Sequence, residues 1–135
     1  MNYSLALNRL FTLVNTEGIT LGAPRTSQPR FDLSRMETIL SRLDNPQNQR
    51  KTIHVTGTKG KGSTAAMVTS ALSAIGCSVG FFSSPHLHTF RERIRKGLFP
   101  ISEMEFASIV EMIWPVIGEM GREGIHGRIT LFEVL

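Results

Sequence analysis

Cysteine is nearly missing from this chain. Cys77 is the only one in 135 residues. A single thiol excludes an internal disulfide and suits a reducing compartment. Long apolar runs are missing too, and none reaches the roughly 18 residues of a membrane span. The opening stretch MNYSLALNRLFTLVN carries no acidic residue. Its apolar residues are spaced, however, and no small-residue cleavage pattern follows, so it does not read as a signal peptide and a cytoplasmic location is the default. Neither sign of charge dominates: 15 Lys and Arg against 11 Asp and Glu leave a formal +4. That balance favours anionic ligands but is too small to mark a nucleic-acid binder. Repeats, low-complexity tracts and domain linkers are likewise lacking.

What is present is an ordinary globular composition, 41% hydrophobic and 19% charged, long enough for one modest core. Tyr3, Leu7, Leu10, Phe11 and Val14 recur at helical spacing and predict a helix over 3–15. The following TEGITLGAPRTSQPR reads as a loop. Leu33, Met36, Leu40 and Leu43 restore the helical period, with Asp32 placed to cap the start and Asn45-Pro46 to end it. KTIHVT predicts a short strand with Ile53 and Val55 on one face. Residues 61–75 predict a helix stopped by Gly76. CSVGFF predicts a second strand, SSPHLHTF a loop, and RERIR a short edge strand that turns at Lys96-Gly97. Ser102 and Glu105 have capping-box spacing before a helix through Phe106, Val110, Ile113 and Ile117, which Pro115 should kink or shorten. Thr130 and Glu133 repeat that spacing, and a helix beginning there would be cut within its first turn. The chain is therefore expected to be the N-terminal piece of something longer.

Strand, glycine loop, helix and strand form a βαβ unit, so the two strands are expected to run parallel. The loop itself is Gly57-Thr58-Lys59-Gly60-Lys61-Gly62-Ser63-Thr64. It departs from G-x-x-x-x-G-K-[ST], because Ser63 stands where the lysine belongs. The chemistry survives the departure. Glycines let successive backbone N–H groups converge on a phosphate oxygen, and the helix that follows directs its N-terminus at the same point. Lys61 can reach the outer phosphates, and Ser63 or Thr64 can bind a phosphate or Mg²⁺.

HVTGTKGKGST resembles the ATP loop of the folylpolyglutamate synthases, within the Mur ligase superfamily. In that family the glycine after Lys61 is the usual form. FDLSRM followed by NPQ, GFFSSPHL with F-x-E-R-I-R, and TLFEVL match further family stretches in order and spacing. The resemblance implies an α/β fold: a P-loop and a mainly parallel sheet flanked by helices. Residues 1–135 would be the N-terminal part of the ATP-binding domain, with its remainder and a C-terminal glutamate ligase domain lying outside. It implies ATP contacts at Thr58, Lys59, Gly60, Lys61, Gly62, Ser63 and Thr64, with Lys61 on the phosphates, and Mg²⁺ ligands at Ser84 and Glu133. A further metal histidine would lie beyond Leu135. Asp32 and Leu33 are the nearest matches to the family's pterin-holding segment, although L-G-L-E-R-M is its more frequent wording there. From the residues alone, Ser84 reads as a turn-initiating Ser-Pro and Glu133 as a capping residue.

The implied activity is an ATP-dependent ligation of L-glutamate to folate, or to dihydropteroate, through an acyl phosphate. A different P-loop enzyme, such as a small-molecule kinase, and a non-catalytic nucleotide-binding fragment are the alternatives. An incomplete sheet would leave the fragment prone to self-association. His86 and His88 sit two apart without a Cys or acidic cluster nearby, a poor zinc pattern. Arg91, Arg93 and Arg95 alternate. They could meet an anionic substrate, and a solvated strand edge is slightly preferred. Trp114, Met104, Met112 and Met120 read as packing or surface residues.

Overall fold

The computed structural model describes residues 1–13, 33–124 and 127–135. Its helices are α1 (Tyr3–Phe11), α2 (Leu33–Arg42), α3 (Lys61–Ala74), α4 (Glu103–Glu123) and α5 (Leu131–Val134), and its strands are β1 (Gly80–Phe82), β2 (Ile94–Lys96) and β3 (Phe99–Pro100). They fall into two compact units, Met1–Lys51 with Ala107–Leu135, and Thr52–Phe106. Val14, the loop after it and Asp32 lie outside the described residues.

The first unit is helical. Asn2 opens α1 by accepting the Leu5 N–H at 2.8 Å. Ala6 and Leu10 are the buried positions of α1, whereas Phe11, expected on that face, is 56% exposed. α2 closes with the Asn45 N–H on the Leu40 carbonyl and the Asp44 N–H on Ser41, with Asp44 at φ 59°. That is a Schellman closure ahead of Pro46. Ile39, Ile117, Met120 and Ile129 form one buried cluster of the core, with Trp114 and Ile113 packed against it. α4 is not shortened: it runs through Pro115. An interior proline costs about 3 kcal/mol. Burial of Ile117 and Met120 just beyond it offsets that cost, because each such side chain contributes roughly 1.5–3 kcal/mol.

The second unit carries the glycine loop. α3 ends as expected, with Gly76 at φ 85° and the Cys77 N–H on the Leu72 carbonyl. The sheet differs from expectation. It has the order β1-β2-β3, and both pairings are antiparallel: Phe81 faces Arg95, and Lys96 faces Phe99. Residues 51–57 form no strand, so the described residues contain no parallel pair, and Ile53 is 63% exposed. Alternation of Ile53 and Val55 reports a strand-compatible segment but not a partner, and the partner that β1 finds is the returning β2. The turn at Lys96-Gly97 is present, with Gly97 at φ 59° in the first central position of a two-residue hairpin. β2 is therefore the central strand rather than an edge. Among the described residues β1 and β3 are the edges, and on β3 Pro100 can sit without removing a needed donor.

Candidate functional site

Gly60 occupies the position before α3 with φ 73° and ψ 1°, and no side chain caps that helix end. The left-handed backbone there is open to glycine and strained for other residues. Gly57 at φ 153° makes the preceding bend. Thr64 N–H closes the first helical turn on the Gly60 carbonyl at 2.9 Å. A helix start without a cap leaves its first N–H groups available to an external acceptor. Lys61 is exposed, and its Nζ folds back on the Gly57 carbonyl at 2.6 Å. Thr58, Lys59, Gly62, Ser63 and Thr64 are also exposed. The expected ATP-loop residues thus lie together on one open loop and helix start.

The second loop follows β1. Ser84 precedes a cis peptide to Pro85 and is exposed. Its neighbours are fixed by a residue that sequence reasoning passed over. The Glu92 carboxylate accepts three consecutive backbone N–H groups, from Leu87 at 2.8 Å, His88 at 3.0 Å and Thr89 at 2.9 Å. Hydrogen bonds from the Leu87 and Thr89 amides hold its pKa down to about 2. The signal was available, since Thr89 and Glu92 have the same spacing that was read as a cap at Ser102–Glu105 and Thr130–Glu133.

The three arginines correct both readings made of them. Arg91 and Arg93 lie in a 3₁₀ turn over Phe90–Arg93 and only Arg95 is on a strand, so they share no strand face. Nor is Arg93 solvated, being 2% exposed. Arg91 donates to the Ile101 carbonyl, Arg93 to His86 Nδ1, and Arg95 to the Glu92 carbonyl, each at 2.9 Å. All three fasten the chain to itself. His86, with Nδ1 taken by Arg93, is not available for metal there.

In the helical unit, Glu133 is a capping residue as read. Its Oε2 accepts the Thr130 N–H at 2.8 Å and hydroxyl at 2.9 Å. Its Oε1 accepts Arg35 Nε–H at 2.8 Å in a largely buried ion pair, a partner the sequence did not reveal. Mg²⁺ prefers unencumbered oxygen ligands and keeps several waters. Ser84, exposed on its loop, fits such a role, as do the exposed hydroxyls of Ser63 and Thr64. Glu133 already accepts from Arg35 and Thr130, so a cation there would share its carboxylate with them. Leu33 begins α2 and is 77% exposed. Among the described residues no helix is long and apolar enough to cross a membrane.

A glycine loop that runs into an uncapped helix start beside an exposed lysine is an arrangement able to receive a phosphate group, here within an α/β fold. No family model matches the chain. Individual proteins do. It is 38% identical over 103 residues to the dihydrofolate synthase/folylpolyglutamate synthase of Bacillus subtilis, covering 76% of this chain and 24% of that protein. The folylpolyglutamate synthase of Thermotoga maritima superposes with a TM-score of 0.81 at 39% identity, covering 98% of this chain and 28% of that one. A folylpolyglutamate synthase solved with AMPPCP and folate superposes at 0.80 with 30% identity, covering 99% and 30%. By sequence and fold the chain belongs with the folylpolyglutamate synthases, as a segment spanning about a quarter of their length.

Proposed function

We propose that this chain is the phosphate-binding segment of an ATP-dependent ligase that joins L-glutamate to a folate. The observation that carries this reading is the exposed Lys61 at the uncapped start of α3, on a loop whose order of residues matches that family. A carboxylate is a poor electrophile, and phosphorylation gives it a leaving group. The folate carboxylate would take the terminal phosphoryl group of ATP, releasing ADP. The glutamate amine would then attack the acyl carbon and expel phosphate, forming the amide. Lys61, freed from the Gly57 carbonyl, would balance charge on the transferring group, and the amides at the start of α3 would hold its oxygens. Mg²⁺ would add further charge neutralisation on the phosphates, held by Ser84 with Ser63 or Thr64. Asp32 and Leu33 are assigned to the pterin end on the family resemblance alone.

Because the chain spans about a quarter of its relatives' length, turnover is assigned to a protein containing this segment, and nucleotide binding to the segment itself. The test incubates such a protein with ATP, Mg²⁺, glutamate and a reduced folate and follows the glutamate chain by mass spectrometry. Lengthened tails are expected. Transfer of phosphate to a hydroxyl substrate without glutamate addition would replace the ligase with a kinase.

A further inference from the structure

Arg93 combines two properties that rarely meet: it is 2% exposed, and its Nε–H points at an imidazole rather than at a carboxylate, reaching His86 Nδ1 at 2.9 Å. A guanidinium has donors only, so Nδ1 is the accepting nitrogen and the ring hydrogen belongs on Nε2. The ring is also held from its face. His86 and Phe90 lie 4.8 Å apart with a 52° tilt, and the Arg93 guanidinium covers Phe90 at 4.8 Å. On the other side, the Glu92 carboxylate ties down the amides of Leu87, His88 and Thr89. An arginine and an imidazole do not attract as an ion pair. What the contact accomplishes is the choice of tautomer and of ring direction, which is how fixed histidines are prepared to meet a ligand. The ring is not sealed in, because His86 is only partly buried.

We infer that Arg93 is a positioning residue that fixes His86 as the Nε2–H tautomer, and that His86 is a further ligand-contacting residue, donating that hydrogen to a phosphoryl oxygen held at the loop of Ser84. The ligand half rests on the nucleotide reading above. Ser84 and His86 are two residues apart, at most about 7 Å along the chain, a separation that one phosphoryl group could span.

Two substitutions separate this role from a purely structural one. The amide nitrogen of glutamine reaches the place of Nε2, whereas the amide oxygen of asparagine reaches the place of Nδ1. His86→Gln is expected to keep the affinity for AMPPCP with Mg²⁺ within about threefold. His86→Asn is expected to keep the Arg93 contact and melting temperature but to weaken AMPPCP about ten- to a hundredfold, with ADP much less affected. Asparagine binding AMPPCP as the unaltered chain does, while glutamine alone lowers the melting temperature, would reduce His86 to a structural residue. The positioning half is read without nucleotide. Long-range ¹H–¹⁵N spectra are expected to show one Nε2–H tautomer, kept in Arg93→Lys and mixed in Arg93→Met. An Nδ1–H signal in the unaltered chain would overturn it. If the unaltered chain fails to bind AMPPCP, the nucleotide reading falls and the ligand contact falls with it, while the spectra still decide the role of Arg93.

Discussion

Arg35 and Glu133 are 98 residues apart in sequence, yet the Arg35 Nε–H donates to Glu133 Oε1 at 2.8 Å, with the two side chains only 6% and 11% exposed. The pair ties α2 to the first turn of α5, where Glu133 also closes the cap on Thr130. Breaking a buried pair from one side strands the other charge. Glu133→Ala is therefore expected to lower stability by about 3 kcal/mol, against about 1 kcal/mol for Thr130→Ala, which removes only the cap. Denaturant unfolding of the two variants checks the order. Equal losses would mean that the ion pair contributes nothing.

Acid should weaken the second unit in a defined window. Glu92 is held near pKa 2 by the Leu87 and Thr89 amides, and Glu105 near 2 chiefly by its contact with Lys96 and then by Ser102. A carboxylate whose pKa is lower in the folded state contributes stability that is complete above its unfolded pKa, about 4.3. That contribution is lost as the pH falls toward 2. The melting temperature is expected to drop between about pH 5 and pH 2, and Glu92→Gln should start lower at pH 7 and show a smaller drop. A variant with the same pH profile as the unaltered chain would remove Glu92 from the account.

Gly60 tests the loop backbone separately from its charges. A Cβ there would meet nothing within 4 Å, so the cost of Gly60→Ala comes from its φ of 73° alone. About 1 kcal/mol of destabilisation is expected, together with weaker nucleotide binding, since relaxing the strain turns the amides away from their common focus. Calorimetry with AMPPCP and thermal melting read the two effects. An unaltered affinity would mean that the loop conformation does not matter to the ligand.

How much of this was legible beforehand follows from the range of each interaction. The caps at Ser102–Glu105 and Thr130–Glu133, the stop at Gly76 and the turn at Gly97 were legible because they are settled within a few residues. The glycine loop and the helix start at Lys61 were legible for the same reason, since backbone freedom and the helix start are local. The partner of β1 was not, because alternation in KTIHVT says nothing about which segment bonds to which. The arginines misled for a related cause. Their alternation suggested a strand, but Arg91 and Arg93 fall in the 3₁₀ turn Phe90–Arg93, whose Glu92 accepts the Leu87, His88 and Thr89 amides just before it. Arg35 lies outside the apolar series Leu33, Met36, Leu40 and Leu43, and its partner lies 98 positions away.

Self-association is the expected behaviour of the isolated chain. Ile53, Met67, Ile75, Leu87 and Phe99 are exposed, and residues 51–57 form no strand. Exposed apolar surface and a strand-compatible segment outside the sheet favour pairing with a second copy. Sedimentation is expected to give a mass above 15.0 kDa. A monodisperse monomer would contradict it.

The central claim is that the loop from Gly57 to Thr64 holds nucleotide phosphates through Lys61. Its most direct test is calorimetric titration of the chain, and of Lys61→Ala, with AMPPCP and Mg²⁺. Saturable one-site binding by the unaltered chain is expected, weakened roughly ten- to a hundredfold when the lysine is lost. Equal affinity in both, or no binding by either, would contradict it.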